Sequence, residues 1–71
     1  MAILENYHDS SMISYTSYDK EKLLLTVEFI GGNTYEYYDV DEDTYNGLCA
    51  ASSVGKYFST TIRNHYAYNQ I

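Results

Sequence analysis

Seventy-one residues with ten Asp and Glu against four Lys and Arg carry a formal net charge of −6 and a pI near 4.4. A chain this short makes one domain that buries only ~60% of its unfolded surface. Its single cysteine, Cys49, excludes an intrachain disulfide, leaving oligomerisation as one route to further burial. No run approaches the ~20 apolar residues needed to cross a bilayer. Met1-Ala2-Ile3-Leu4-Glu5 has neither the basic start nor the apolar stretch of a signal peptide, so a reducing, cytoplasmic setting is expected.

Residues 1–9 read as an N-terminal extension, in which Ile3, Leu4 and Tyr7 could dock on the core. Ser10 to Tyr18 reads as a strand because Ile13, Tyr15, Thr16 and Tyr18 suit a pleated, half-buried surface. After an Asp19-Lys20-Glu21 turn, Lys22 to Ile30 is the strongest strand. Leu23, Leu25, Val27 and Phe29 alternate with other residues and should face the core. Gly31-Gly32-Asn33 supplies the positive φ values of a tight hairpin. Thr34 to Val40 is the third strand, with Tyr35 and Tyr37 on one face and Glu36 and Tyr38 on the other. These connections are too short for parallel crossovers, so the three strands form a meander.

Beyond Val40 the period becomes helical. Asp41 is the expected cap, with Glu42 and Asp43 at the positive end of the helix dipole. Tyr45, Leu48, Cys49 and Ser52 should face inward. Gly47, Ala50 and Ala51 form a small-residue face that either admits another backbone or marks a weakly stable helix. A second helix is expected from Val54 to Tyr66, capped by Ser52 or Ser53. Its projection puts Val54, Phe58, Thr61, Ile62 and His65 on the core side, and Lys56, Ser59, Thr60 and Arg63 opposite. Residues 67–71 read as a frayed tail. The fold class is therefore α+β: a three-stranded antiparallel meander followed by two short helices packed on one face.

Charge divides along the chain. Two lysines against ten carboxylates give −8 up to Asp43, while Lys56 and Arg63 give +2 beyond it, for the total of −6. Local field rather than net charge decides where an anion sits. The start of the second helix therefore reads as a site for a phosphate-bearing ligand. Its free amides carry partial positive charge, Gly55 permits close approach, Ser52 and Ser53 donate hydroxyls, and Lys56 and Arg63 add cations. Tyr57 would supply stacking. The segment is not a P-loop, since the first glycine and the hydroxyl residue after the lysine are missing. The plainer reading is an ordinary cap and a solvated helix face.

Other features favour structural roles. Tyr35 and Tyr37 could stack on bases, but Glu28, Glu36 and Asp39 beside them repel phosphate, so packing under the helices is preferred. Asp39, Asp41, Glu42 and Asp43 lack the spacing of a calcium loop and read as capping and solubility. Cys49 with His8 or His65 would be a formal nucleophile–base pair, but both Cys49 and His65 fall on inward helix faces. No catalytic centre, metal site or cofactor is expected.

The order of these pieces resembles the KTSC domain, a family named for a segment at the C-terminus of some lysyl-tRNA synthetases and also found as free-standing bacterial and phage proteins. The resemblance rests on Ser11 and Ile13 before Tyr18-Asp19, on Leu23-x-Leu25-x-Val27-x-Phe29, and on Gly32 and Tyr35-Glu36-Tyr37. It continues through Val40, Tyr45, Leu48, the run Ala51-Ser52-Ser53-Val54-Gly55-Lys56-Tyr57-Phe58, Ile62-Arg63 and Tyr66, covering residues 10 to 66. It implies a small meander followed by helices, and RNA binding by association with the synthetase.

The expected function is that of a small non-enzymatic binding protein. Its ligand would be a nucleotide or small phosphorylated molecule held by Ser52, Ser53, Gly55, Lys56, Tyr57 and Arg63. A phage or bacterial protein sequestering a nucleotide signal to blunt host defence would fit. A homo-oligomer is expected, with Tyr38, Gly47 and Ala51 at its interface. The alternatives are an acidic protein–protein module or inhibitor using Asp39 to Asp43, and an RNA-binding module.

Overall fold

A computed structural model describes residues 3–71; Met1 and Ala2, the start of the expected N-terminal extension, lie outside the described residues. Five antiparallel strands form one sheet in sequence order: β1 (Ile3–Tyr7), β2 (Ile13–Asp19), β3 (Leu24–Phe29), β4 (Thr34–Tyr37) and β5 (Tyr68–Gln70). The helical segments are α1 (Glu42–Ala50) and α2 (Val54–Tyr57), the latter continuing as a π-helical stretch over Phe58–Ile62. Among the described residues, no helix is long and apolar enough to cross a membrane.

The expected meander is the centre of this sheet, and the three-strand count is corrected to five. The extension forms β1, with Leu4 opposite Tyr18 and Asn6 opposite Thr16. The frayed tail is instead β5, with Tyr68 opposite Tyr37 and Gln70 opposite Tyr35. Opposed residues share a face. One side of the sheet therefore carries the rows Leu4, Tyr18, Leu25, Tyr37, Tyr68 and Asn6, Thr16, Val27, Tyr35, Gln70. Both helices cover this side. Ile13, Tyr18, Leu25, Val27, Tyr37 and Val40 pack there against Tyr45, Leu48, Phe58 and Ile62 to form the core.

Two of the core tyrosines, Tyr18 and Tyr45, bring hydroxyls that find partners. Tyr18 stacks on Tyr45 with ring centroids 5.0 Å apart, and its hydroxyl donates to the Val40 carbonyl. Thr16, buried and polar, lies 3.1 Å from the Tyr45 hydroxyl and 2.7 Å from His8 Nε2. Asn6 Nδ2 donates to Tyr45 (3.0 Å) and to Cys49 Sγ (3.3 Å), tying β1 to α1. At the β3–β4 hairpin, Gly31 (φ +105°) and Gly32 (φ +99°) occupy left-handed backbone that a side chain would strain.

Several placements differ from expectation. Leu23 precedes β3 with φ +53° and stays exposed, so the inward set begins at Leu25. Asp41 caps α1, but its carboxylate accepts from the Thr44 and Tyr66 hydroxyls (the latter at 3.4 Å) rather than from a backbone amide. Ser52 is exposed beyond the end of α1. The second helix does not run as a regular helix to Tyr66. At Thr60 the hydroxyl bonds back to the Lys56 carbonyl (2.9 Å), and the ladder widens until Arg63 N–H reaches the Phe58 carbonyl (2.9 Å). Turn residues follow at once, which leaves His65 exposed rather than on the core side.

Candidate ligand site

The helix-start site divides in the structure. Ser52, Ser53, Gly55 and Lys56 line a depression of about 470 Å³, closed on its other side by Asp9, Ser10, Ser11 and Met12. The Ser53 hydroxyl already accepts from the Lys56 amide (3.3 Å), and the α-helical part is only four residues long. Gly55 makes room for Met12, whose Sδ would lie 3.3 Å from an added Cβ. The Asp9 carboxylate on the rim opposes an anion. This depression is polar, but its amides are partly satisfied from within.

Arg63 lies elsewhere. The π-helical stretch inserts a residue between it and Lys56, turning it by about 100° from the shared face a regular helix would give. It lines a second cleft of about 420 Å³ together with Asn33, Asn64, Phe29, Tyr35, Tyr37, Phe58 and Tyr68, and Met12 borders both hollows. Aromatic rings build its walls. Phe58 meets Tyr37 edge-on at 5.4 Å and Phe29 at 5.3 Å, while Tyr68 lies 5.6 Å from Tyr37 and 5.9 Å from Tyr35. Tyr37 is buried at 3% exposure and forms the floor, whereas Tyr68, at 58%, is the accessible ring.

Electrostatics in the cleft follow from this packing. Burial, with Tyr35 and Tyr68 adding to it, pushes the Tyr37 hydroxyl up to about 12, and the Arg63 guanidinium opposes the shift. That hydroxyl therefore stays protonated at neutral pH. The single ion pair among the described residues joins Lys20 to Glu42 at 3.2 Å, so Arg63 faces the cleft without a carboxylate neighbour.

The remaining candidates are dispersed. Tyr57 lies across Gly47, where an added Cβ would sit 2.8 Å from its Cζ. The small face is thus closed at Gly47 by the chain's own side chain, while Ala50 stays exposed. Tyr57 also borders a shallow groove with Lys56, Ala51 and Thr60, away from Arg63. Tyr38 is half-exposed and donates to Glu36 at 3.3 Å. Cys49 is linked to His8 indirectly, through Asn6, Tyr45 and Thr16, while His65 is exposed. Among the described residues no three His, Cys, Asp or Glu side chains converge as metal ligands. Sequence reading missed Tyr68 and Asn64. The alternation Tyr66-Ala67-Tyr68-Asn69 was a weak strand signal for the first, and Asn64 carried none.

The chain is 33% identical over 58 residues to a Tsukamurella paurometabola protein, covering 82% of this chain and 87% of that one. It is 32% identical over 63 residues to a lysine–tRNA ligase of Nostoc punctiforme, of which it spans 11%. A crystal structure of a KTSC domain protein from Yersinia pestis superposes with a TM-score of 0.90 at 28% identity, covering 99% of both chains. That coverage takes in β1 and β5, whereas the KTSC domain profile itself matches residues 9–66. With that match spanning both helical segments and the three central strands, the chain belongs to the KTSC domain family.

Proposed function

We propose that this protein is a non-enzymatic binder of a planar, anionic small molecule, with a nucleotide the best fit, held in the aromatic cleft rather than at the helix start. The observation that carries this reading is the Arg63 guanidinium, without a carboxylate partner among the described residues, at a cleft walled by Phe29, Tyr35, Phe58 and Tyr68. A base stacks on Tyr68, and a phosphate or carboxylate takes the guanidinium fork. The carboxamides of Asn33 and Asn64 offer both donors and acceptors to a base edge. A binder of this kind acts by withholding its ligand, which is the sequestering role.

The test is a panel of mono-, di- and cyclic nucleotides read by thermal shift and calorimetry. A ligand at 100 times its Kd adds about 2.7 kcal/mol of stability. Arg63→Ala should weaken binding about 10- to 100-fold, the range of a lost charge-assisted contact of ~1.5–3 kcal/mol, and Tyr68→Ala should weaken it comparably. Lys56→Ala should leave it within threefold. A panel without any binder, or binding lost through Lys56 instead of Arg63, would overturn the assignment.

A further inference from the structure

The side of the sheet away from the helices carries a second surface. Register places Glu5, Ser17, Thr26, Glu36 and Asn69 in one row across all five strands. Tyr7, Tyr15, Glu28 and Thr34 form the next row, and Ile3, Asp19 and Leu24 a third. The core residues of both helices lie on the other side of the sheet, so no helix covers these rows. Four carboxylates stand on this face, and none of its rows contains Lys or Arg. Tyr7 is 86% exposed, with its ring 5.0 Å from that of Tyr15, whose hydroxyl donates to Glu5.

We infer that this uncovered face is a docking surface for an arginine-rich, extended polypeptide segment. Charge complementarity selects the partner. Four carboxylates without an ion-pair partner among the described residues repel a nucleic acid, and they equally repel a second copy presenting the same face. Tyrosine rings beside carboxylates suit guanidinium, which stacks on an aromatic face while forking onto an oxyanion. Spacing agrees as well. Glu5 and Glu36 stand three strand intervals apart, roughly 14 Å, and same-side residues of an extended peptide recur every ~7 Å. Arginines at alternate positions of a crossing segment therefore reach both carboxylates. The surface lies on the opposite side of the sheet from the cleft and does not depend on the ligand assigned there.

The test uses an acetylated octapeptide alternating Arg and Ser, titrated into the full chain at 100 mM salt, with amide shifts recorded. Shifts should concentrate in β1 to β4, and Glu28→Gln with Glu36→Gln should weaken binding at least tenfold. Asp9→Asn with Asp43→Asn removes the same charge away from this face and should change binding less than threefold. Equal losses in the two variants would reduce the effect to net charge and overturn the docking surface. So would shifts confined to the helical side, self-association through β1 to β4, or no measurable binding. Should the face variant unfold, the wild-type shift map alone decides between these outcomes.

Discussion

Gly47 and Tyr57 offer a direct measure of how the two helical segments fit together. An alanine at position 47 would place its Cβ 2.8 Å from Tyr57 Cζ and 3.2 Å from Cε2. The first distance is shorter than real Cβ contacts, so the ring must swing away. Replacing glycine by alanine within a helix is worth about 1 kcal/mol in propensity. Displacing a half-buried tyrosine re-exposes roughly 50 Å² of apolar surface, or about 1.3 kcal/mol at 25 cal/mol/Å². Gly47→Ala alone should therefore be neutral or destabilising by up to about 1 kcal/mol. In a Tyr57→Ala background the clash is gone and the same change should stabilise by about 1 kcal/mol. The expected coupling of ~1–2 kcal/mol is readable in a double-mutant cycle of urea unfolding curves. In melting curves each kcal/mol corresponds to about 4–8 °C for a domain of this size. Equal effects in both backgrounds, within about 0.3 kcal/mol, would show that Tyr57 does not seal Gly47.

Other consequences are equally open to measurement. Tyr18→Phe removes the donor to the buried Val40 carbonyl and should destabilise by ~1–3 kcal/mol in denaturant titrations, whereas Tyr7→Phe on the open face should change little. Burial lowers the His8 pKa below its ordinary 6.5, so the unfolded chain binds the proton more readily. Stability should then fall as pH drops below about 6.5, and His8→Gln should flatten that part of the melting-temperature profile. At the alkaline end, Tyr37 held at about 12 against an ordinary value of 10.0 contributes stability that is complete below pH 10 and lost as pH rises through 12. Tyr37→Phe should weaken that loss, and an unchanged alkaline limb would contradict the assignment. Removing residues 67–71 deletes the Ala67 carbonyl bonded by Tyr38 N–H (2.9 Å) and the Tyr68 wall. Calorimetry should then show ligand binding in the cleft abolished together with a lower melting temperature.

The central meander was legible because its inward residues Leu25, Val27 and Tyr37 alternate with polar ones and a Gly31-Gly32 turn joins the strands. The start of α1 was legible for a related reason, since Asp41 and the acidic first turn are local chemistry. The edges were not. Inward positions in β1 are Leu4 and Asn6, and an inward asparagine looks like loop until its partners, Tyr45 and Cys49, are brought 39 and 43 residues back to it. In β5 the inward pair is Tyr68 and Gln70, too short a run for a period to register.

The same contrast governs the site. The sequence alone established an acidic first part, a cationic second part, a tyrosine-built core and the residue types able to hold an anion, all properties of composition and near neighbours. Which of those residues meet was decided by the tertiary structure. One extra residue in the π-helical stretch rotates Arg63 away from Lys56, and the pairing of β5 with β4 brings Tyr68 to its side. Neither event leaves a mark in a helical projection. The first depends on how Phe58 and Ile62 both reach the core, and the second on a sheet contact more than thirty residues apart in the chain.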